Sequence, residues 1–394
     1  MRSRRRGRVP LPPGFGTIWA SVVVDLVGFG IVLPILPIYA RRFHATSLQA
    51  ALLLTAFSGA AFLFSPVWGW LSDRVGRRPV LLVSLAGTAV GSLLTGLAGG
   101  LPLLFVGRLV DGASGASVAV AQAAATDLAE PAERSRLFGL LGAAFGIGFV
   151  AGPAIGSLGA LGGPRVPFFL AAGLAVANTT VAWFRLPETR RPAGPATAAG
   201  PQEPRGGRWR DPAVSGAAPL LVVAFAAMTA FSGFEATFSL FGQRHLGLGI
   251  GSAAAVFTGV GFVVVGVQGG VVHSVVRRVG EVPTLRAGLL FNTAGLALLG
   301  PARSWALAAP ALLLLTAGQG LVQTTMASLL AGRAPPGRRG RVLGAQQSVS
   351  ALARIAGPAA GGALLGSGGS AAAYAAGAGL TGVALLALFR NRSP

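Results

Sequence analysis

Twelve apolar segments divided by mostly short polar gaps constrain this 394-residue chain more than any other feature. They cover residues 17 to 39, 48 to 70, 79 to 99, 101 to 126, 136 to 161, 165 to 185, 217 to 243, 252 to 274, 282 to 301, 304 to 331, 340 to 366 and 370 to 390. Each is near the roughly 20 residues that a helix needs to cross a bilayer core. With 53% hydrophobic and 11% charged residues and a mean hydropathy of +0.67, the chain lacks the polar surface of a soluble protein. The predicted fold class is an all-α membrane protein with twelve transmembrane helices.

All 32 basic residues are arginine, against 11 acidic residues, for a formal charge of +21. Such an excess raises nucleic acid as a partner. The arginines, however, occupy gaps between apolar runs and make no aromatic-interleaved patch, so none is expected. Placing both termini in the cytoplasm puts 24 arginines in the tails, the even-numbered loops and a central linker. Five then lie outside, at Arg41, Arg42, Arg165, Arg244 and Arg303, which satisfies the positive-inside rule. The basic start MRSRRRGR leads into a run that is too long for a signal-peptide core and contains Asp25, so it reads as an uncleaved first helix. The expected division is a basic tail over 1–16, a six-helix bundle over 17–186, a Pro/Gly/Arg-rich linker over 187–216, a second bundle over 217–390 and a tail over 391–394. Trp19, Trp68, Trp70, Trp183 and Trp305 fall at predicted helix ends, where interfacial tryptophans belong. With no cysteine, and histidines scattered at His44, His245 and His273, neither a disulfide nor a metal site is expected.

The two halves repeat. Arg134-Ser-Arg136-Leu-Phe-Gly139 with Ala151-Gly152-Pro153-Ala-Ile-Gly156 aligns without a gap to Arg339-Gly-Arg341-Val-Leu-Gly344 with Ala356-Gly357-Pro358-Ala-Ala-Gly361, at an offset of 205. Asp73 to Pro79 has a worn counterpart in Arg277 to Pro283. Repetition at half-chain spacing predicts two six-helix bundles with a substrate site between them near the membrane midplane.

Charges inside the apolar segments mark candidate functional positions, because an ionised group in lipid is costly and must face protein or water. Asp25 interrupts the first segment, and Gly28, Gly30, Pro34 and Pro37 follow it and suit a helix that bends. In the fourth segment Arg108, Asp111, Gly112 and Gly115 share one helix face, and Asp111 is within reach of Arg108. At the 205 offset Arg108 corresponds to Leu313 and Arg354 to Phe149. Glu235 and Arg354, in the seventh and eleventh segments, could pair across a cavity, bind a charged substrate or titrate. Gly139, Gly148, Gly152, Pro153 and Gly156 let the fifth helix pack closely and hinge. Asp73 and Arg77, between the second and third segments, and Asp127 and Arg136 come from neighbouring helix ends and are complementary in sign.

The run Gly69-x-Leu71-Ser72-Asp73-Arg74-x-Gly76-Arg77-Arg78 resembles the loop signature of the major facilitator superfamily. GRLVDGASGAS resembles its fourth-helix motif, and the glycine-proline pattern of the fifth helix resembles that of its drug/proton antiporters, with Ser157 for the usual second glycine. The first helix is similar to that of the tetracycline and multidrug efflux branch. The resemblance implies a proton-coupled antiporter exporting small amphipathic or cationic compounds, with protons as the coupling ion and no other cofactor. A proton symporter or facilitator importing a metabolite is the alternative. It further implies that Asp25 handles protons or drug, that Arg108 takes part in proton coupling, and that the Asp73 loop, with Asp127 as partner, forms a latch holding the outward-open state. Tetracycline transporters carry aspartates in the third and ninth helices. Gly91 and Asn292 stand at the corresponding positions here, which argues against tetracycline as the substrate. No nucleotide-binding loop, metal set or nucleophile-base pair is present, so no enzyme is expected. The expected setting is a monomer in the cell membrane, with lipid and a small-molecule substrate as its partners.

Overall fold

The helices of a computed structural model, which describes residues 11–128, 131–189, 212–334 and 339–390, follow the twelve apolar segments with three interruptions. The first span is α1 (Phe15–Val32) and α2 (Leu36–Arg41); α3 (Ser47–Val75) and α4 (Arg77–Gly96) are the second and third. The fourth is α5 (Leu101–Ser114) and α6 (Ser117–Leu128), followed by α7 (Pro131–Gly159) and α8 (Val166–Arg185). A short α9 (Pro212–Gly216) precedes α10 (Ala218–His245). The eighth span joins α11 (Ile250–Gly266) to α12 (Val272–Val279) through a π-helical turn at Val267–Val271. Then come α13 (Glu281–Leu299), α14 (Trp305–Arg333), α15 (Arg339–Ser367) and α16 (Gly369–Arg390).

Each interruption has a local cause. Pro34 cannot donate a backbone hydrogen bond and so parts α1 from α2. Its own carbonyl then accepts from Ser239 Oγ at 2.6 Å. In the fourth span, predicted as one helix, Gly115 leaves helical geometry at ψ 58°. The backbone groups freed there are taken up by side chains, as burial demands. Ser84 Oγ accepts from Ala116 N at 3.1 Å and donates to the Ser114 carbonyl, and Trp68 Nε1 donates to the Ala113 carbonyl at 2.5 Å. Trp68 is therefore a brace on the broken helix and not the interfacial anchor its position suggested. Trp19 likewise donates to the Leu140 carbonyl at 2.7 Å.

The gap expected between the second and third segments, residues 71–78, shrinks to one residue. Helix α3 continues through Asp73 and Arg74 to Val75, and α4 starts at Arg77. Gly76 turns the chain with φ 107° and ψ 164°, a conformation closed to residues with a Cβ. Gly280 makes the same turn in the second half, with φ 89° and ψ 170°, so the repeat seen in sequence is a repeat of backbone conformation. Its offset here is 204, one less than in the fifth and eleventh spans.

Packing separates the two faces of the molecule. At the face carrying the chain ends, where Gly14 abuts Pro187, one apolar core including Phe15, Ile18 and Leu85 belongs to the first half. Another including Leu220, Leu289 and Leu330 belongs to the second. At the far face one core takes Leu36, Tyr39 and Ala51 from the first half together with Ala236, Leu240 and Leu365 from the second. Hydrogen bonds tie the halves there, from Arg244 Nη2 to Ser47 Oγ at 3.0 Å and from Ser157 Oγ to the Gly251 carbonyl at 2.8 Å. Between described residues, the tie nearest the chain-end face is Thr55 Oγ1 to the Ile355 carbonyl, at 3.3 Å. Among the described residues the halves are thus joined at the far face and at mid-helix, where Gly146 meets Val265 and Gly261 meets Phe149, while the two cores at the other face each belong to one half.

Candidate functional site

Glycine-mediated helix contacts position the charged residues. On α7, a Cβ at Gly152 would lie 2.6 Å from the Gly30 Cα, and one at Gly148 would lie 2.8 Å from the Leu26 carbonyl oxygen. These two glycines, with Gly156 against Ile31, let α1 and α7 meet backbone to backbone. Gly139, grouped with them by sequence, has open space around it and takes no part. Pro153 lies inside α7. The second half repeats the contact: Gly357 and Gly361 of α15 face Gly233 of α10, and Ser232 Oγ donates to the Ala353 carbonyl at 3.0 Å.

That second contact brings Glu235 and Arg354 together. Glu235 Oε2 is 4.0 Å from Arg354 Nη1, with the glutamate side chain 5% and the arginine side chain 32% exposed. Both line a cleft between the halves, with Phe29, Leu33, Leu54, Phe57 and Ser58 on one side and Ser232 and Pro358 on the other. The pair therefore occupies the boundary that the repeat predicted.

Asp25, Arg108 and Asp111 form a second cluster inside the first half. Arg108 Nη1 is 2.9 Å from Asp111 Oδ2, with both side chains nearly inaccessible. Its Nη2 donates to Thr95 Oγ1 at 3.1 Å. Ser117 Oγ, at the start of α6, donates to Asp25 Oδ2 at 2.5 Å, and the Thr88 hydroxyl faces both carboxylates. Thr88 is thus the hydroxyl common to both carboxylates, while Arg108 pairs with Asp111 and Ser117 with Asp25. The structure divides the five intramembrane candidates into two clusters, Asp25, Arg108 and Asp111 in one and Glu235 and Arg354 in the other. The link between them is α1: Asp25 and the cleft residue Phe29 lie one turn apart on one helix face, about 6 Å along the axis. Neither Thr88 nor Ser117 carried a sequence signal, since hydroxyls are common in membrane helices.

Gly91 packs on Asp111, where a Cβ would lie 2.8 Å from the Asp111 nitrogen. In the second half a Cβ at Gly295 would lie 2.6 Å from the Leu315 nitrogen. This pairing, at an offset of 204, makes Leu312 the counterpart of Arg108, correcting the assignment to Leu313. Leu312 is 6% exposed, as a counterpart of Arg108 should be, while Leu313 is 56% exposed. Asn292, 1% exposed, donates to Gln319 Oε1 at 3.2 Å. Both positions at which an aspartate was sought are helix-packing sites.

At the chain-end face Arg77 is a hub. Its Nε is 2.8 Å from Asp127 Oδ2 and its Nη1 is 2.5 Å from Asp73 Oδ1, and Nη1 also donates to Ser72 Oγ at 2.7 Å. Glu188, which the sequence reading left in the linker, accepts from the backbone nitrogens of Arg77 at 2.9 Å and Arg78 at 3.1 Å, so a carboxylate closes the first turn of α4. Arg74 stacks over the Trp70 ring at 4.1 Å, and Arg78 Nη2 donates to the Trp183 carbonyl at 2.6 Å. Gly69 has open space around it. Arg136 is exposed and makes no ion pair among the described residues. Among the described residues, these contacts all lie within the first half.

Two helical bundles fused at one face, with a charged cleft at their boundary, define a two-bundle membrane transporter. The family model for the Major Facilitator Superfamily matches residues 18–358, and the chain belongs to that family. A tetracycline resistance protein, class C, of Escherichia coli is 34% identical over 352 residues, covering 86% of this chain and 87% of that protein. The crystal structure of the human organic anion transporter MFSD10 (TETRAN) is 27% identical with a TM-score of 0.70, covering 96% of this chain and 100% of that one. A bacterial homolog of the human lysosomal transporter Spinster, at 15% identity, shares the fold with a TM-score of 0.72, covering 95% and 94% of the two chains.

Proposed function

We propose that the protein is a proton-coupled antiporter that exports small amphipathic compounds by alternating access, with both termini in the cytoplasm of a cell-membrane protein. The observation that carries the reading is the Glu235 and Arg354 pair in a cleft at the boundary of two halves that are tied together at the opposite face. A substrate enters from the chain-end face, and rocking of the halves delivers it to the other side. The similarity to tetracycline resistance proteins supports export as the direction. Asp25, in the cluster with Asp111 and Arg108, and Glu235 in the cleft each carry a coupling proton, and α1 relays the state of Asp25 to the cleft through Phe29. The Arg77 hub sets the balance between the two open states.

In everted membrane vesicles with an acid interior, a fluorescent amphiphile should accumulate and be released when a protonophore collapses the gradient. Accumulation that follows protons inward from an acid exterior would instead mean symport. Asp25→Asn should abolish gradient-driven accumulation with the protein still present in the membrane, and unaltered accumulation removes Asp25 from the coupling path. Arg77→Ala removes two ion pairs from a buried arginine to carboxylates that are 63% and 25% exposed, and a loss of about 1.4 kcal/mol between them shifts a balanced equilibrium about tenfold. Turnover should fall by about that factor with substrate affinity little changed, and a change confined to affinity would contradict a gating role.

A further inference from the structure

The geometry of the Glu235 and Arg354 pair restricts the charge of the substrate, an inference that rests on the antiport reading. The 4.0 Å separation is loose for an ion pair, and Arg354 is the more accessible partner. Phe29 and Phe57, with ring centroids 5.2 Å apart, supply an aromatic wall, and the hydroxyls of Ser58 and Ser232 also line the cleft. We propose that the cleft takes a zwitterionic amphiphile whose cationic group replaces Arg354 at Glu235, whose anionic group takes Arg354, and whose apolar part lies on Phe29 and Phe57.

The alternatives fail on charge balance. A bare cation at Glu235 would release Arg354 and sit beside it, two like charges in a poorly solvated cleft. A bare anion at Arg354 would strand the buried Glu235, which would then take up a proton. Anion and proton would load together, and exchange would be lost. A zwitterion replaces both partners and leaves neither charge alone. It also requires Glu235 to be ionised, so proton and substrate exclude each other, as antiport demands. Among the described residues Arg354 is the charged group set against Glu235; from α16, Tyr374 faces Thr237, on the same helix as Glu235.

Three probes with permanent charges separate the cases without titrating themselves: benzyldimethylammonio-propanesulfonate, benzyltrimethylammonium and phenylpropanesulfonate. Isothermal titration calorimetry of the full-length protein in nanodiscs, in buffers of different ionisation enthalpy, reads affinity and proton exchange together. The zwitterion should bind at least about tenfold more tightly than either other probe. It should release protons, and its affinity should fall as pH is lowered, by up to about tenfold per unit. Glu235→Gln and Arg354→Gln should each erase the preference for it. A cation or anion that binds as well, zwitterion binding without proton release, or no binding by any of the three overturns the assignment. In vesicles, gradient-driven movement of the cation or anion with the zwitterion inert overturns the charge class while antiport stands. Absence of any gradient-driven movement, with the predicted binding order intact, strikes the antiport reading instead.

Discussion

Replacing Asp111 with alanine is expected to destabilise the protein by about 3 to 5 kcal/mol, the cost of leaving a buried cation without its partner. Arg108 is 1% exposed, and Asp111 and Thr95 are its polar contacts. Its Nε already lacks a hydrogen-bond partner, so no spare acceptor stands ready. The second half of the chain supplies the control. Leu312 and Leu315 occupy the corresponding positions at 6% and 0% exposure, which shows that this helix contact accommodates two leucines. The double variant Arg108→Leu, Asp111→Leu should therefore recover thermal stability to near that of the unaltered protein, because an apolar pair often replaces a buried ion pair at little cost. It should nevertheless have lost proton-driven transport. Thermal unfolding in detergent and transport in vesicles test both statements. A double variant that transports normally would make the pair purely structural, and a single variant with unaltered stability would remove the ion pair from the account of the fold.

The contrast between those two positions shows what the sequence could convey. Twelve crossings follow from the lengths of the apolar runs, and the two-bundle repeat follows from the offset. Both are properties of the chain read along its length. The way in which helices face one another is not. Arg108 and Asp111 were matched because they are a turn apart on one helix, and Asp73, Arg77 and Asp127 because their ends had to be neighbours. Glu235 and Arg354, with more than a hundred residues between them, meet because glycines at 233 and 357 let their helices touch, and the sequence left pairing as one possibility of several. The loop at Asp73 was misjudged because polar residues can continue a helix beyond the membrane as well as end it, and composition does not distinguish the two. Glu188 was missed because the α4 terminus that it caps is more than a hundred residues away in sequence. Trp68 was misassigned because its acceptor exists only where Gly115 breaks the fourth span.

A large effect of a single added side chain is expected at Gly152. Its Cβ would lie 2.6 Å from the Gly30 Cα and from the Val27 carbonyl oxygen. Both obstacles are backbone and cannot rotate aside, so α1 and α7 must separate. Alanine would gain up to about 1 kcal/mol of helix propensity over glycine, but overpacking costs about 1 to 3 kcal/mol per such insertion, so Gly152→Ala should lower the unfolding temperature. Gly152→Leu has several more carbons to place and should abolish both folded yield and transport, because α1 carries Asp25, Phe29 and the Pro34 break. Gly139→Ala is the matched comparison on the same helix. Nothing approaches within 4 Å of its Cβ position, so propensity acts alone and the protein should be unaffected or slightly stabilised. Size-exclusion profiles and unfolding temperatures of the three variants read the difference directly. If Gly152→Ala and Gly139→Ala behaved alike, the α1 and α7 contact would be looser than drawn, and the glycine pattern that resembles drug/proton antiporters would act through flexibility and not through close approach.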